Sequence, residues 1–269
     1  MKIDLHIHSS MSDGTDSPCE IVTKAVSLGM TTIALTDHDT IAGLDELREC
    51  AKSTNLQVID GIELSTFANC EVHILGYNFD RDSDILNQSI ADFADQRRKR
   101  IKKIIDRLAT FNVHVDWDKI KDENSIGRMH VAQELIKSGY VAGVNEAFER
   151  YLGSRGVAYI PSKRITPLEG VRLIRQAKGQ AFIAHPLRFF QDRKLEDYLA
   201  GLQPYGLTGL EAFYPTHDEK TVKALLQLAS KYRMAVSGGT DYHGKNKYIE
   251  LGSIAVDLPT HSKKILCIK

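Results

Sequence analysis

His6 and His8 stand two apart in a segment, residues 3–8, in which apolar and polar side chains alternate. Alternation of that kind fits a strand, and residues two apart on a strand project from one face. The pair can therefore grip a metal ion between two imidazoles. Ser12-Asp13-Gly14 has turn chemistry, which ends the strand and swings the Asp13 carboxylate back toward the histidines. Histidines at this spacing also occur on half-buried strands that bind nothing, so the rest of the chain has to decide.

Placement decides. His38, Glu63, His185, Asp241 and His243 each fall at or just past the C-terminal end of a β-rich run, and His73 lies on another. In a parallel α/β sheet those ends converge on one rim, where such folds put their sites. His6, His8, Asp13, His38, Glu63, His73, His185, Asp241 and His243 supply only nitrogen and oxygen, a set suited to Zn²⁺, Mn²⁺ or Fe²⁺. Nine donors are too many for one ion and imply two or three. Closely spaced ions that share a carboxylate cleave phosphoesters: they generate hydroxide at neutral pH and clamp both the attacked phosphorus and the leaving oxygen.

The elements that must position these groups alternate. Strands are expected at 31–36, 57–63, 71–77, 180–184, 209–212 and 234–237, with helices at 18–28, 41–52, 167–178, 195–202 and 218–232. Ser17-Pro18 and Thr166-Pro167 start helices; Gly29 and Gly179 stop them. The fold class is α/β with a mostly parallel sheet, open or closed into a barrel. Between residues 83 and 157 the pattern turns helical, with a long basic helix over 85–111 and further helices at 129–137 and 144–151. This reads as a subdomain inserted between 1–82 and 158–269.

Composition narrows the classes. At 269 residues, 35 Lys and Arg balance 35 Asp and Glu, so no global field marks a nucleic-acid binder. The basic run from Arg97 to Lys103 is diluted by Asp92, Asp95 and Asp106 and reads as a solvated helix face. Cysteines at 19, 50, 70 and 267 form no Cys-x-x-Cys pair, and Lys2 and Asp4 interrupt any leader-like apolar run. Reduced thiols and a cytoplasmic setting are expected, with no membrane span and no obligate protein partner.

The motifs Asp4-Leu5-His6-Ile7-His8, Leu35-Thr36-Asp37-His38-Asp39-Thr40, Gly61-Ile62-Glu63, Val72-His73-Ile74, Ala184-His185-Pro186 and Gly239-Thr240-Asp241-Tyr242-His243 resemble, in order, those of the polymerase and histidinol phosphatase (PHP) superfamily. The resemblance implies a distorted (β/α)7 TIM-like barrel with a trinuclear site. It places His6, His8, Glu63 and Asp241 on one ion, a bridging Glu63 with His73 and His185 on a second, and Asp13, His38 and His243 on the third. Asp37 and Asp39 would orient imidazoles or cap helices. The insert, with Ser125-Ile126-Gly127-Arg128-Met129-His130 and Ala158-Tyr159-Ile160-Pro161, is similar to the helical lid of stand-alone bacterial PHP phosphoesterases.

Those relatives cleave nucleoside 3′,5′-bisphosphates, and some degrade short 5′-phosphorylated RNA, so a small phosphorylated nucleotide or short RNA is the expected substrate. A second phosphate away from the metals needs its own cations, and Arg128, Arg155 and Lys163 lie on the insert or its return. His217, just after the strand bearing Glu211, could contact phosphate or protonate a leaving oxygen. With Asp13, His38 and Glu63 it completes the candidate catalytic residues. A small-phosphomonoester hydrolase like histidinol phosphatase and a non-catalytic PHP module are the alternatives.

Overall fold

A computed structural model of the chain describes residues 2–68, 70–121, 125–189 and 192–269, with backbone alone at 192 and 193. Its strands are β1 (Ile3–Ile7), β2 (Thr32–Leu35), β3 (Gln57–Ala68), β4 (Cys70–Tyr77), β5 (Gln180–Ile183), β6 (Leu207–Phe213) and β7 (Ala235–Gly238). They lie in chain order in one seven-stranded sheet. Every residue of β1, β2 and β7 is buried, so both faces of these strands are covered.

Four neighbouring pairs are parallel, while β4 runs antiparallel to both β3 and β5. The sheet is curled and open: β1 and β7 form its edges and share no ladder. A single parallel bridge, Ile7 with Tyr242, brings the chain beyond β7 across the end of β1. Gly239 permits this crossing, because a Cβ there would collide with the His6 backbone nitrogen and with Asp4. The closed barrel expected from the motifs is therefore a curled sheet whose edges meet at one point, since β7 ends after four residues and the chain turns over β1.

The helices are α1 (Pro18–Ser27), α2 (Leu44–Ala51), α3 (Asp84–Ala109), α4 (Arg128–Lys137), α5 (Val144–Ala147), α6 (Pro167–Gln176), α7 (Asp192–Leu202), α8 (Glu219–Lys231) and α9 (Thr260–Ile265). Capping boxes at Ser17 with Glu20 and at Thr166 with Glu169 start α1 and α6. Each satisfies two otherwise orphaned donors. The helix expected over 144–151 changes winding after α5, and Phe148–Leu152 forms a π-helical turn. Sequence periodicity missed α9, whose Ser262 hydroxyl accepts the Val236 N–H at 2.9 Å.

Cys19 on α1 and Cys50 on α2 are bonded, with Cα atoms 5.5 Å apart, so the expectation of four reduced thiols is corrected. Helix packing creates this proximity between residues 31 apart, and no local spacing could have shown it. Among the described residues, no helix is long and apolar enough to cross a membrane.

The chain divides into two compact units, 1–88 with 164–269, and 89–163. The sheet unit is filled by fully buried Leu5, Ile33, Ile62, Ile74, Phe182 and Leu210 with Ile21, Leu47 and Ile174 from the helices. The helical unit has its own core, including Ile104, Leu108, Val131, Leu135 and Leu152. Phe182 meets Tyr77 edge-on at 5.3 Å and fills space left by Gly209, where a Cβ would strike its ring. Phe182→Ala is expected to cost about 3–5 kcal/mol in urea unfolding; a loss under about 1 kcal/mol would show that this layer is not close-packed.

Candidate metal and catalytic site

Strand ends deliver the donors. His6 lies within β1 and His8 just beyond it, both side chains fully buried. A single parallel bridge sets His38, past β2, beside Glu63 of β3. His73 is in the first half of β4, opposite Ser65, and reaches the same rim because β4 is reversed. His185 follows β5, and Asp241 and His243 follow β7. His185 (φ 26°) and Asp241 (φ 54°) hold left-handed backbone conformations, the kind of local strain that persists where surrounding contacts fix it.

Asp13 is presented by a turn closed on the Ser9 carbonyl, which accepts from Ser12 N and Gly14 N. Asp37 holds that turn: its carboxylate accepts from Ser9 N at 2.8 Å, Ser9 Oγ at 2.6 Å and Ser12 Oγ at 2.5 Å. Asp39 accepts the Ser65 N–H at 2.7 Å and so pins β3. Both aspartates tie loops to the site through backbone and hydroxyl donors, which a motif does not reveal.

Glu63 is the hub. Its Oε2 lies 3.4 Å from His6 Nε2, 3.2 Å from His8 Nε2 and 3.1 Å from His38 Nδ1. Its Oε1 lies 2.9 Å from His73 Nδ1 and 3.0 Å from His185 Nε2. Asp241 Oδ1 faces His8 Nε2 at 3.3 Å and His6 Nε2 and His243 Nδ1 at 3.5 Å. Asp13 Oδ1 is 3.2 Å from His243 Nε2, and its Oδ2 is 3.9 Å from His38 Nε2. Three groups offer donor atoms all within 4.8 Å of one another: His8, Asp13, His38 and His243; His6, His8, Glu63 and Asp241; and His38, Glu63 and His73. His185 joins through Glu63 alone.

These residues fit divalent cations. Among the described residues, His6 Nε2, both ring nitrogens of His8, His185 Nδ1 and Glu63 Oε2 are buried with no hydrogen-bond partner. Each such atom costs about 1–3 kcal/mol when left unsatisfied. A cation among them would satisfy several at once.

Further groups, not marked out by the sequence, orient the donors. Glu211 of β6, fully buried, accepts from His6 Nδ1 at 2.9 Å and from the His185 backbone N–H at 2.6 Å. Holding the proton on Nδ1 turns the Nε2 lone pair of His6 toward Glu63 and Asp241, the usual device for aiming a ligating imidazole. Glu71, ion-paired with Arg164, does the same for His73 from its Nε2 side at 3.0 Å. Asp4 accepts from Thr240 N and Oγ1 and from Gly252 N, fastening the segment that carries Asp241. A carboxylate amid the apolar residues 209–212 was the available signal for Glu211.

His217 lies beyond the end of β6. Its Nδ1–H donates to the Ala212 carbonyl at 2.9 Å, and burial lowers its pKa. Among the described residues its Nε2, also buried, has no hydrogen-bond partner. In the helical unit, Arg128 donates to the Leu152 carbonyl at 3.1 Å and lies over the Phe148 ring, while Arg155 and Lys163 are exposed. His130 accepts the Gly127 N–H at 3.0 Å and caps α4.

Residues 4–138 match the family described as PHP domain. The chain is 33% identical over 255 residues to a 5′-3′ exoribonuclease of Haemophilus influenzae, covering 93% of each. This chain belongs to the PHP domain family. It is also 28% identical to a 3′,5′-nucleoside bisphosphate phosphatase of Chromobacterium violaceum, over 90% of this chain and 87% of that one. The crystal structure of a protein described as a metal-dependent phosphoesterase from Bifidobacterium adolescentis superposes with a TM-score of 0.87 at 27% identity, covering 98% of this chain and 95% of the other. The chain is a hydrolase of phosphoester bonds.

The charge balance of the PHP site is set by its burial. Burial opposes every charge there, yet the histidines around Asp13, Glu63 and Asp241 hold those carboxyls well below the usual range. Burial likewise works against protonated His8 and His73, but the carboxylates beside them prevail and raise both to about 9. For His38 and His185 burial prevails, and they fall to about 3 and about 4. In metal-free protein, His8 and His73 thus carry protons that a cation must displace. An imidazole raised from 6.5 to about 9 on folding stabilises fully below 6.5 and loses that contribution as pH climbs through 9. Chelator-treated protein should therefore melt at progressively lower temperature from pH 6.5 to pH 9, and added Mn²⁺ should restore it with proton release. A flat or rising melting temperature in the chelated protein would contradict this.

Proposed function

We propose that the chain removes the 3′-phosphate of nucleoside 3′,5′-bisphosphates and acts in the 5′-to-3′ direction on short 5′-phosphorylated oligoribonucleotides. The observation that carries this reading is Glu63 set among five imidazoles, with carboxylates Asp13 and Asp241 completing overlapping donor sets. The activities named for the H. influenzae and C. violaceum relatives support the substrate class.

In this reading His6, His8, Glu63 and Asp241 hold one ion, Glu63 with His73 and His185 a second, and Asp13, His38 and His243 a third. Bound divalent ions supply an activated water and neutralise charge on the phosphoryl oxygens. The residues do the rest. Glu63 keeps the donor sets in register, Glu211 and Glu71 aim two imidazoles, and Asp13, 22% exposed, faces the mouth where substrate enters. Water oxygen joins phosphorus, the P–O3′ bond breaks, and the ribose oxygen leaves with a proton. The curled sheet is proposed as the frame of a distorted (β/α)7 barrel and residues 89–163 as an insertion in it. A role for Arg128, Arg155 and Lys163 with the second phosphate is proposed from their charge and their place on the insert or its return.

Asp13→Ala and His38→Ala should each lower phosphate release from adenosine 3′,5′-bisphosphate at least about 100-fold, with unchanged circular dichroism. Undiminished turnover would overturn the site. Preferential hydrolysis of histidinol phosphate would overturn the substrate.

A further inference from the structure

Asp241 Oδ2, turned away from the histidines, is crowded with donors. Tyr214 Oη donates to it at 2.8 Å and Lys247 Nζ at 2.7 Å. Arg188 Nη1 stands off at 3.7 Å, outside hydrogen-bond range. An sp² oxygen accepts along two lone-pair directions, and Tyr214 and Lys247 take both. Asp241 is therefore not what the guanidinium is built to grip.

Arg188 is nonetheless held at the mouth. Its side chain is 48% exposed while Asp241 is 2% exposed, and its guanidinium lies over the Phe189 ring, 5.8 Å from the centroid. That ring packs in turn on His185 at 5.4 Å and His73 at 5.8 Å. The 3₁₀ turn Pro186–Arg188, directly after His185, fixes the arginine's origin to the donor cluster. The result is a planar, half-exposed cation beside the cluster, out of hydrogen-bond range of a saturated carboxylate.

We infer that Arg188 is a specificity residue that grips the terminal oxygens of a phosphomonoester at the PHP site and so favours terminal phosphates over internal diesters. The inference rests on the phosphoesterase reading above and narrows its substrate class. A terminal phosphate has three non-bridging oxygens. With one committed to the donor cluster it keeps two, matching the two parallel N–H groups of a guanidinium edge. An internal phosphate keeps one and can make half of that contact. Lys247 and Tyr214 take the Asp241 oxygen, and although Arg188 also faces the Tyr214 hydroxyl, a guanidinium carries five donors and keeps others for the substrate.

Adenosine 3′,5′-bisphosphate and 5′-phosphorylated ApA share the leaving ribose oxygen's chemistry and differ in what else the phosphorus carries, so the pair isolates the effect. In Mn²⁺-loaded protein, Arg188→Met should lower kcat/KM for the bisphosphate about 30-fold and for the dinucleotide less than about threefold, with Arg188→Lys between. Metal content should be unchanged, and inorganic phosphate should bind Arg188→Met about tenfold more weakly in calorimetry. Equal losses on both esters, or no loss on the bisphosphate, would overturn the assignment. If the wild-type protein cleaves neither ester, the proposed function fails separately. Phosphate binding then decides: weakening in Arg188→Met sustains the grip, and unchanged binding removes it.

Discussion

One buried carboxylate organises this protein. Glu63 sits fully enclosed with five imidazole rings at 2.9–3.4 Å from its two oxygens. Burying a charge is costly unless it is paired and hydrogen-bonded, and the unsatisfied ring nitrogens around it add to that cost. Such a cluster persists only if the sheet holds it by force of packing and a cation relieves it when bound. The apolar strands beneath, Leu5, Ile33, Ile62, Ile74 and Phe182, supply that packing.

The elements around Glu63 follow from this demand. Parallel strands bring His8, His38, His185 and Asp241 to one rim, and the reversed β4 brings His73 there although it lies early in its strand. Carboxylates farther out, Glu211 behind His6 and Glu71 behind His73, fix which ring nitrogen carries the proton. Asp37, Asp4 and Asp39 fasten the loops from Ser9, Thr240 and Ser65. Asp241 is held on its far side by Tyr214 and Lys247. Acidic residues therefore serve two purposes in this site. Some face the space a cation would take, and others hold the first kind in place.

The α/β alternation, the two capped helix starts at Ser17 and Thr166 and the convergence of His6, His8, Asp13, His38, Glu63, His73, Asp241 and His243 could be read from residue order, because strand ends and turn residues are local signals. What could not be read depends on three-dimensional neighbours. The Cys19–Cys50 bond, the holding role of Asp37 and the contact of Tyr214 with Asp241 join residues 25 to 31 apart, and Lys247, six residues from Asp241, reaches it only through the turn at Gly244–Asn246. The curled, open sheet was not separable from a closed barrel in sequence because closure depends on how β7 meets β1, a matter of one glycine and one bridge. The contact of His217 Nδ1 with the Ala212 carbonyl was likewise out of reach, because a backbone group has no sequence signature.

We propose that neighbouring divalent cations share Glu63. Elemental analysis of protein dialysed against Mn²⁺ tests it most directly. Two or three ions per chain should be found, and Glu63→Gln, nearly isosteric but uncharged, should lose more than one of them while keeping the fold. One ion or fewer in the wild-type protein, or an unchanged count in the variant, would rule that sharing out.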